Sequence, residues 1–336
     1  AISFLDNHFR GKSSSGKPFF LYYPSNSNHG PYTPDEKIGD KAVKKAGRTM
    51  SGKASSLRLD YIYENDVALG RLLDYLENTD DPRSQGSKLI ENTIVIFTSD
   101  NGAEVTVKTA TGPVRSNKGS CYEGGHRVPF IVSWPEQIAK GKVSDQLIGL
   151  QDLYATFSEI MGVTLPDLKK GEKGAEDSLS LLTAWRGEKL VDRPMFYNDH
   201  KESKDGAASA MRIDNPKVGG KVAQGKWKIF FDASLLRSGK ANPTMLFDLQ
   251  SDPKEEKNRL TDPKLKPLVK RLVSTALLHR RAGGHRFVPL APKKRITFDW
   301  TKPIPTPAPI VLALSTKGGA PERDELGMGI LGSGSP

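Results

Sequence analysis

The chain has 336 residues, of which 36% are hydrophobic and 26% charged, and its mean hydropathy is −0.49. This is a globular composition, and no run of about eighteen apolar residues offers a membrane-spanning helix. The formal charge of +11 lies almost entirely in residues 253–295, where 13 Lys and Arg face 3 acidic residues. Such a diffuse basic stretch is typical of solvated surface, so nucleic acid is not expected as a partner.

The first part of the chain predicts strands that alternate with helices. Residues 18–23 (PFFLYY) form a short apolar run that predicts a buried strand, and a turn-rich loop follows at 24–31. Residues 55–78 carry apolar side chains at helical spacing, and Asp66 falls on the same stripe, which predicts a buried, paired carboxylate. Residues 93–98 (TIVIFT) predict a strand buried on both faces, as in a parallel sheet.

The pattern continues beyond this strand. A glycine-rich loop runs to Arg127, a second buried strand is predicted at 128–134, and Asp152 is predicted to cap a helix that ends near Met161. Apolar strands separated by loops and helices favour a layered α/β fold.

The character of the sequence changes after about residue 183. Short strand candidates separated by Gly, Pro and Lys lie at 195–198, 208–213, 227–231 and 245–249, and a helical pattern covers 264–281. Trp227 is predicted to be a core residue. We therefore predict a layered α/β part at 1–183, an antiparallel-sheet-plus-helix subdomain at 184–288 and a Pro/Gly-rich tail at 289–336.

Two polar clusters follow the predicted strands of the first part. Asn28 and His29 come after the first strand, and Asp100 and Asn101 come after 93–98. Ligand sites of open α/β sheets lie at such strand ends, and carboxylate and amide oxygens suit Ca²⁺ or Mg²⁺. An ordinary turn is the alternative, because Asp-Asn-Gly is also common turn sequence.

The loop 115–129 (RSNKGSCYEGGHRVP) combines cations with glycines. Lys118 and backbone N–H groups of such a loop can hold an anion, whereas a flexible surface loop would have a similar composition. Cys121 is the single cysteine, which excludes an internal disulfide and a zinc site built on cysteines.

The order and spacing of these segments are more specific than each one alone. PFFLYY, the His29 loop, TIVIFTSDNG, NKGSCYEGGHRVPFIVSWP, QDLYATFSEIMG and the later LFDLQSDPKEEKNRL together resemble the formylglycine-dependent sulfatases of the alkaline-phosphatase superfamily over about residues 1–265. The resemblance implies an alkaline-phosphatase-like α/β sandwich. Its mostly parallel central sheet would be incomplete at the N-terminus, and a smaller α+β subdomain with an antiparallel sheet would follow.

The resemblance also implies roles for individual residues. Asp100 and Asn101 match ligands of a divalent cation, Ca²⁺ in preference to Mg²⁺. Lys118 matches the lysine that binds the sulfate oxygens, and His29 matches the histidine that contacts the sulfate and protonates the leaving oxygen. A cation, an ammonium and an imidazole would all stabilise charge on a sulfuryl group. We expect Lys118 and His29 to converge on one anion.

Other polar residues of these segments receive weaker assignments. Glu123 and Arg127 are predicted mainly to brace the loop through their charges. His200 lies where the smaller subdomain would border the cleft, so it is a candidate substrate contact, with a surface histidine as the alternative.

The nucleophile of the family is missing from the sequence. A formylglycine forms from Cys or Ser in a motif with Pro or Ala two residues later and Arg four residues later, and no residue fits that pattern. Cys121 has Glu123 and Gly125 at those positions. We therefore expect the nucleophile, and two further Asp ligands, in an N-terminal part that precedes this chain, and we expect the chain alone to be inactive.

Two other functions remain open. A phosphodiesterase or phosphonate hydrolase of the same superfamily is disfavoured by the presence of only six histidines, and a non-catalytic binding module is the third hypothesis. The family implies a sulfated small molecule or carbohydrate as substrate and a secreted or periplasmic location. The opening AISFLDNHFR lacks the charged and then apolar pattern of a leader, so we expect no signal peptide within this sequence and no membrane association. The sequence leaves the oligomeric state open.

Overall fold

The structure is a computed structural model that describes residues 1–11, 16–47, 56–104, 110–135, 137–190, 192–199, 208–283 and 286, and the backbone of 312–314. The α-helices are α1 (Ile2–Arg10), α2 (Leu57–Asn78), α3 (Glu123–His126), α4 (Asp152–Ile160), α5 (Leu182–Trp185), α6 (Ser234–Ser238) and α7 (Lys266–Ala282). Short 3-10 helices lie at Leu89–Asn92, Leu168–Lys170 and Pro263–Leu265.

The strands are short and fall into several small sheets. They are β1 (Phe20–Tyr22), β2 (Lys37–Ile38), β3 (Lys41–Ala42), β4 (Val95–Thr98), β5 (Phe130–Ser133), β6 (Met195–Asn198), β7 (Ser209–Asp214), β8 (Lys217–Val218), β9 (Lys221–Val222), β10 (Lys226–Phe231), β11 (Pro243–Asp248) and β12 (Leu312–Leu314). The chain divides into two compact units, one formed by 1–94, 134–136 and 299–336 and the other by 95–133 and 137–298.

In the first unit, helix α2 packs its carboxylates inward. Ser56 caps the helix by accepting a hydrogen bond from the Leu59 backbone N–H at 3.2 Å. Asp60 and Glu64 are buried, whereas Asp66 is exposed, so the prediction of a buried Asp66 is wrong. Two residues turn a helix by about 200°, and a residue two positions after Glu64 therefore points away from the side on which Glu64 is buried.

In the second unit, strands β4 and β5 lie where the sequence predicts strands but pair antiparallel, with Val95 opposite Ser133. The expectation that 93–98 lies buried on both faces of a parallel sheet is not met, because among the described residues β4 has β5 as its one neighbour. Phe97 and Ile131 are accordingly 37% and 61% exposed.

The second unit also contains the predicted antiparallel sheet, in the order β11-β10-β7-β6. Trp227 and Ile229 of β10 pack with Leu246 of β11 and with Leu268 and Leu272 of α7 in one buried cluster. The predicted strand positions, the helix at 264–281 and the core role of Trp227 are confirmed.

The domain limits proposed from the sequence stay predictions, and the tail at 289–336 lies outside the described residues except for β12. Among the helices of the described part, none has both the length and the apolar character needed to span a bilayer.

Candidate functional site

The loop after β4 carries the two predicted metal ligands. The Asp100 carboxylate accepts a hydrogen bond from the Asn101 backbone N–H at 2.9 Å and another from Asn101 Nδ2. The Ser99 hydroxyl donates to the Asn101 carbonyl at 3.1 Å. Asp100 is exposed and Asn101 is half-buried, so solvent reaches the carboxylate at the end of the strand.

Glycines let this loop pack directly against residues 115–126. The Gly102 N–H donates to the Gly125 carbonyl at 2.9 Å. A Cβ on Gly102 would lie 1.8 Å from the Gly124 oxygen, and a Cβ on Gly124 would lie 2.1 Å from the Ser116 oxygen. Only glycine permits backbones to approach so closely.

A second main-chain hydrogen bond fixes the segment of Lys118. Its N–H donates to the Ala103 carbonyl at 2.9 Å, one residue beyond Gly102. The structure thus joins the backbone that carries Asp100 and Asn101 to the backbone that carries Lys118. The roles of these side chains stay predictions.

The oxygen donors of Asp100 and Asn101 fit a hard cation in chemical type. Ca²⁺ takes about 6–8 oxygen ligands, more than two neighbouring side chains can supply. No group of three or more His, Cys, Asp or Glu residues within the described ranges could complete the ligand set. The pair therefore fits part of a calcium site.

A buried ionic cluster lies beneath α3, the single helical turn at residues 123–126 (the 123–126 turn). Lys228 of β10 is 0% exposed, and its Nζ lies 2.9 Å from Glu123 Oε1, 3.0 Å from Glu255 Oε1 and 3.0 Å from His126 Nε2. The Arg212 guanidinium lies 3.7 Å from the other Glu123 oxygen. A lysine is almost never fully buried unless it is paired, and here two carboxylates pair with it.

The charges of this cluster follow from burial and from the lysine. Burial by itself raises the pKa of Glu123, but Lys228, His126 and Arg212 together outweigh burial and hold that pKa below its ordinary value. For Glu255, burial prevails and raises the pKa. Burial and the neighbouring ammonium lower the pKa of His126 to about 3, so its imidazole is neutral at neutral pH.

The predicted bracing role applies to Glu123 but not equally to Arg127. The Glu123 carboxylate is buried and holds Lys228, whereas Arg127 is exposed and its guanidinium lies 4.0 Å from Glu123. Lys228 and Glu255 were not predicted from the sequence as members of this cluster. The one available signal was a lysine in the middle of the apolar strand KWKIFF.

Cys121 is a buried, protonated thiol. Its Sγ lies 3.5 Å from the Tyr197 carbonyl, and burial raises its pKa to about 12. The Tyr197 ring stacks on His126 with centroids 3.7 Å apart, which closes this side of the turn. A thiol in this setting is a poor nucleophile, because the thiolate is the reactive form.

His29 belongs to the first compact unit, in a loop held by helix α2. Glu64 accepts hydrogen bonds from the Ser27 hydroxyl at 2.8 Å and from the Asp35 N–H at 2.6 Å, and His29 Nδ1 donates to the Gly30 carbonyl at 2.7 Å. A buried carboxylate of the helix therefore organises the histidine loop. The predicted convergence of His29 with Lys118 stays a prediction, and His200 lies outside the described residues.

Comparison with known proteins relates the chain to sulfatases. Residues 2–163 match the family model Sulfatase. The chain is 32% identical to N-acetylgalactosamine-6-sulfatase of Canis lupus familiaris over 55% of this chain and 32% of that protein. It is 29% identical to human arylsulfatase A over 73% of this chain and 45% of that protein. The chain thus spans about a third of the length of the first curated relatives that it matches.

Solved structures give the same fold. A Bacteroides thetaiotaomicron protein, reported in work on the metabolism of multiple glycosaminoglycans, aligns with a TM-score of 0.57 and 25% identity over 82% of this chain and 52% of its own. Ps i-CgsB, solved in complex with k-i-k-neocarrahexaose, aligns with the same TM-score and coverage at 21% identity. These relatives share an alkaline-phosphatase-like α/β fold, and the family match over residues 2–163 makes the chain similar to the sulfatases of the alkaline-phosphatase superfamily.

Proposed function

We propose that the protein hydrolyses sulfate esters and that the Asp100–Lys118 region forms part of its active site. The observation that carries the proposal is the pair of main-chain hydrogen bonds that joins the Asp100–Asn101 loop to the Lys118 loop. Both loops lie inside the segment that matches the sulfatase model. A negatively charged sulfate group would be bound from two sides, by a cation held on the oxygens of Asp100 and Asn101 and by the ammonium of Lys118.

Each residue of the proposed site has a defined task. Asp100 and Asn101 would hold Ca²⁺, which when bound supplies positive charge to stabilise the sulfuryl oxygens. The Lys118 ammonium donates hydrogen bonds to sulfate oxygens, and the His29 imidazolium gives its proton to the departing ester oxygen. The family's formylglycine would supply the nucleophile, and no residue of this sequence lies in its motif, so no nucleophilic step is assigned to this chain.

The substrate class that we favour is a sulfated carbohydrate. N-acetylgalactosamine-6-sulfatases are among the relatives at 31–33% identity, and the Bacteroides relative was reported with glycosaminoglycan metabolism. A small aryl sulfate is the second candidate, favoured by the match to arylsulfatase A. We infer a secreted or periplasmic location from the family.

We expect Lys118→Ala to lower kcat/KM for sulfate release by at least about tenfold, because it removes one contact to the transition state. The measurement uses the protein made from its complete reading frame and a sulfated monosaccharide series. The exposed Lys140→Ala variant is the control and should retain wild-type kinetics. An unchanged kcat/KM in Lys118→Ala would contradict the assignment.

We expect Asp100→Ala to weaken Ca²⁺ binding by about tenfold or more, because the variant loses a charged oxygen ligand. Isothermal calorimetry on the same complete protein measures the dissociation constant directly. Asp145→Ala is the control, since the Asp145 carboxylate is 90% exposed and lies 4.0 Å from Lys226 Nζ. Equal calcium affinities in the wild type and Asp100→Ala would show that Asp100 is not a ligand.

The 336-residue chain produced alone should release no sulfate and carry no aldehyde at Cys121. The thiol is buried and protonated, and Glu123 and Gly125 occupy the positions where the modifying motif requires Pro or Ala and Arg. Mass spectrometry reads residue 121, and ion chromatography measures sulfate. Turnover by the purified chain would disprove this prediction.

A further inference from the structure

Lys228 is fully buried in the sheet, and the desolvation of its ammonium costs free energy that its contacts must offset. It lies in the middle of β10, fully buried, between Glu123 and Glu255 at 2.9 and 3.0 Å. Phe230 lies two residues further along the same face of β10 and packs with Ala210 and Phe247 in a buried apolar cluster, so stability alone could be met by an apolar residue. The ammonium instead points to the turn that follows Cys121.

The contacts of Glu255 show how the cluster fixes this turn. Glu255 Oε2 accepts the backbone N–H of Glu123, the first residue of α3, at 2.7 Å. The Glu255 carbonyl accepts a hydrogen bond from Arg115 at 2.9 Å. Glu255 also has a φ of +55°, a left-handed conformation that a non-glycine residue adopts only when its surroundings impose it. Arg115 and Glu123, which lie near the two ends of the 115–126 segment, therefore both bind Glu255.

The 123–126 turn contacts the proposed site through a main-chain hydrogen bond. The Gly125 carbonyl, two residues after Glu123, accepts the N–H of Gly102, which directly follows Asn101. The Gly124 N–H donates to the Arg115 carbonyl at 2.8 Å, which closes the segment that contains Lys118. The backbones of the Gly102 loop and the 123–126 turn are so close that neither can shift far without the other. A Cβ on Gly102 would already overlap the Gly124 oxygen.

We propose that Lys228 and Glu255 are positioning residues that set the 123–126 turn and thereby the locations of Asp100, Asn101 and Lys118. Neither residue touches the substrate. The antiparallel sheet of the C-terminal part would thus act on the site through an ionic contact at its centre. This inference rests on the proposed function for its kinetic consequence, whereas its structural consequence can be measured without any turnover.

The first test is native-state hydrogen exchange on the protein made from its complete reading frame. In Lys228→Met, the Gly102 and Lys118 amides should lose protection by at least about tenfold. The acceptor of the Gly102 amide, the Gly125 carbonyl, lies on the loosened turn, and the acceptor of the Lys118 amide, the Ala103 carbonyl, directly follows Gly102. Lys228→Arg should retain most of the protection at these two amides, since the positive charge is kept. Glu255→Gln is the second variant, used if Lys228→Met does not fold, and it should act in the same direction because a neutral amide pairs poorly with the ammonium.

The control is a buried ion pair elsewhere in the same unit. Arg193 pairs with Asp152, and both side chains are buried. Arg193→Met should therefore lower the melting temperature without selective loss of protection at Gly102 and Lys118. If Lys228→Met or Glu255→Gln leaves these two amides protected, or if Arg193→Met exposes them equally, the positioning inference is wrong.

The second test separates this inference from the proposed function. Calcium affinity and sulfate turnover are measured in the wild type and in the same variants. Lys228→Met and Glu255→Gln should each raise the calcium dissociation constant and lower kcat by about tenfold, while Arg193→Met stays within about twofold. A wild-type protein that releases no sulfate would overturn the proposed function, and the exchange result would still decide the positioning inference.

Discussion

Replacing Lys228 with methionine should lower the free energy of unfolding by about 3–5 kcal/mol, the usual cost of removing one partner from a buried ionic contact. The substitution leaves Glu123 buried against Glu255, and these two carboxylates then lose the ammonium that both contact. Methionine fills a similar volume, so the loss reports the missing charge rather than a cavity. Urea unfolding at neutral pH measures the difference.

The matched control lies on the same strand. Lys226 is two residues earlier in β10, and its Nζ lies 4.0 Å from the exposed Asp145 carboxylate. Lys226→Met should change the free energy of unfolding by less than about 1 kcal/mol, because exposed ion pairs contribute little. Equal losses in Lys226→Met and Lys228→Met would mean that the buried cluster is not a major source of stability.

Mild acid should destabilise the protein through His126. The folded protein holds the pKa of His126 at about 3, by burial and by the Lys228 ammonium, whereas the unfolded chain binds this proton near the ordinary value of 6.5. Below pH 6.5 the unfolded state therefore binds more protons, and stability falls as the pH falls toward 3. One such group lowers the free energy of unfolding by about 1.4 kcal/mol per pH unit in this window.

Comparison with His126→Gln isolates this contribution. Burial also lowers the pKa of His279, so the wild type has a second group with the same sign. Between pH 6.5 and 5, the wild type should lose about 2 kcal/mol more than His126→Gln. The pKa of Glu123 is lowered and that of Glu255 is raised, but both carboxyls are present in the wild type and in His126→Gln, so the comparison of the two proteins isolates the histidine. Parallel stability curves for the two proteins would contradict the assignment of a neutral, buried imidazole.

Much of the C-terminal architecture could be predicted from the sequence, because its signals are local. Alternating apolar residues between Gly, Pro and Lys loops located β6, β7, β10 and β11, and a helical repeat located α7. The candidate ligands Asp100 and Asn101 could also be identified locally, since they directly follow the apolar strand. Their proposed roles depended on the resemblance to the sulfatases.

The features that the sequence did not predict depend on contacts between distant residues. Lys228 and Glu123 are 105 residues apart, and no periodicity indicates that a lysine in an apolar strand will meet a glutamate in a glycine-rich turn. The burial of Asp60 and Glu64 instead of Asp66 depends on which backbone N–H groups approach α2. Asp60 accepts from Lys45 and Gly47, and these partners lie in a loop that has no apolar pattern. The antiparallel pairing of β4 with β5 likewise needs the three-dimensional register.

The most direct test of the proposed function compares sulfate release with phosphate release by the protein made from its complete reading frame. Matched sulfate and phosphate esters of one sugar, followed by ion chromatography, give both rates in the same reaction. We predict release of sulfate with kcat/KM at least about a hundredfold above that for phosphate, and loss of this activity in Asp100→Ala. Preferential release of phosphate, or sulfate release that is unaffected in Asp100→Ala, would contradict the proposal.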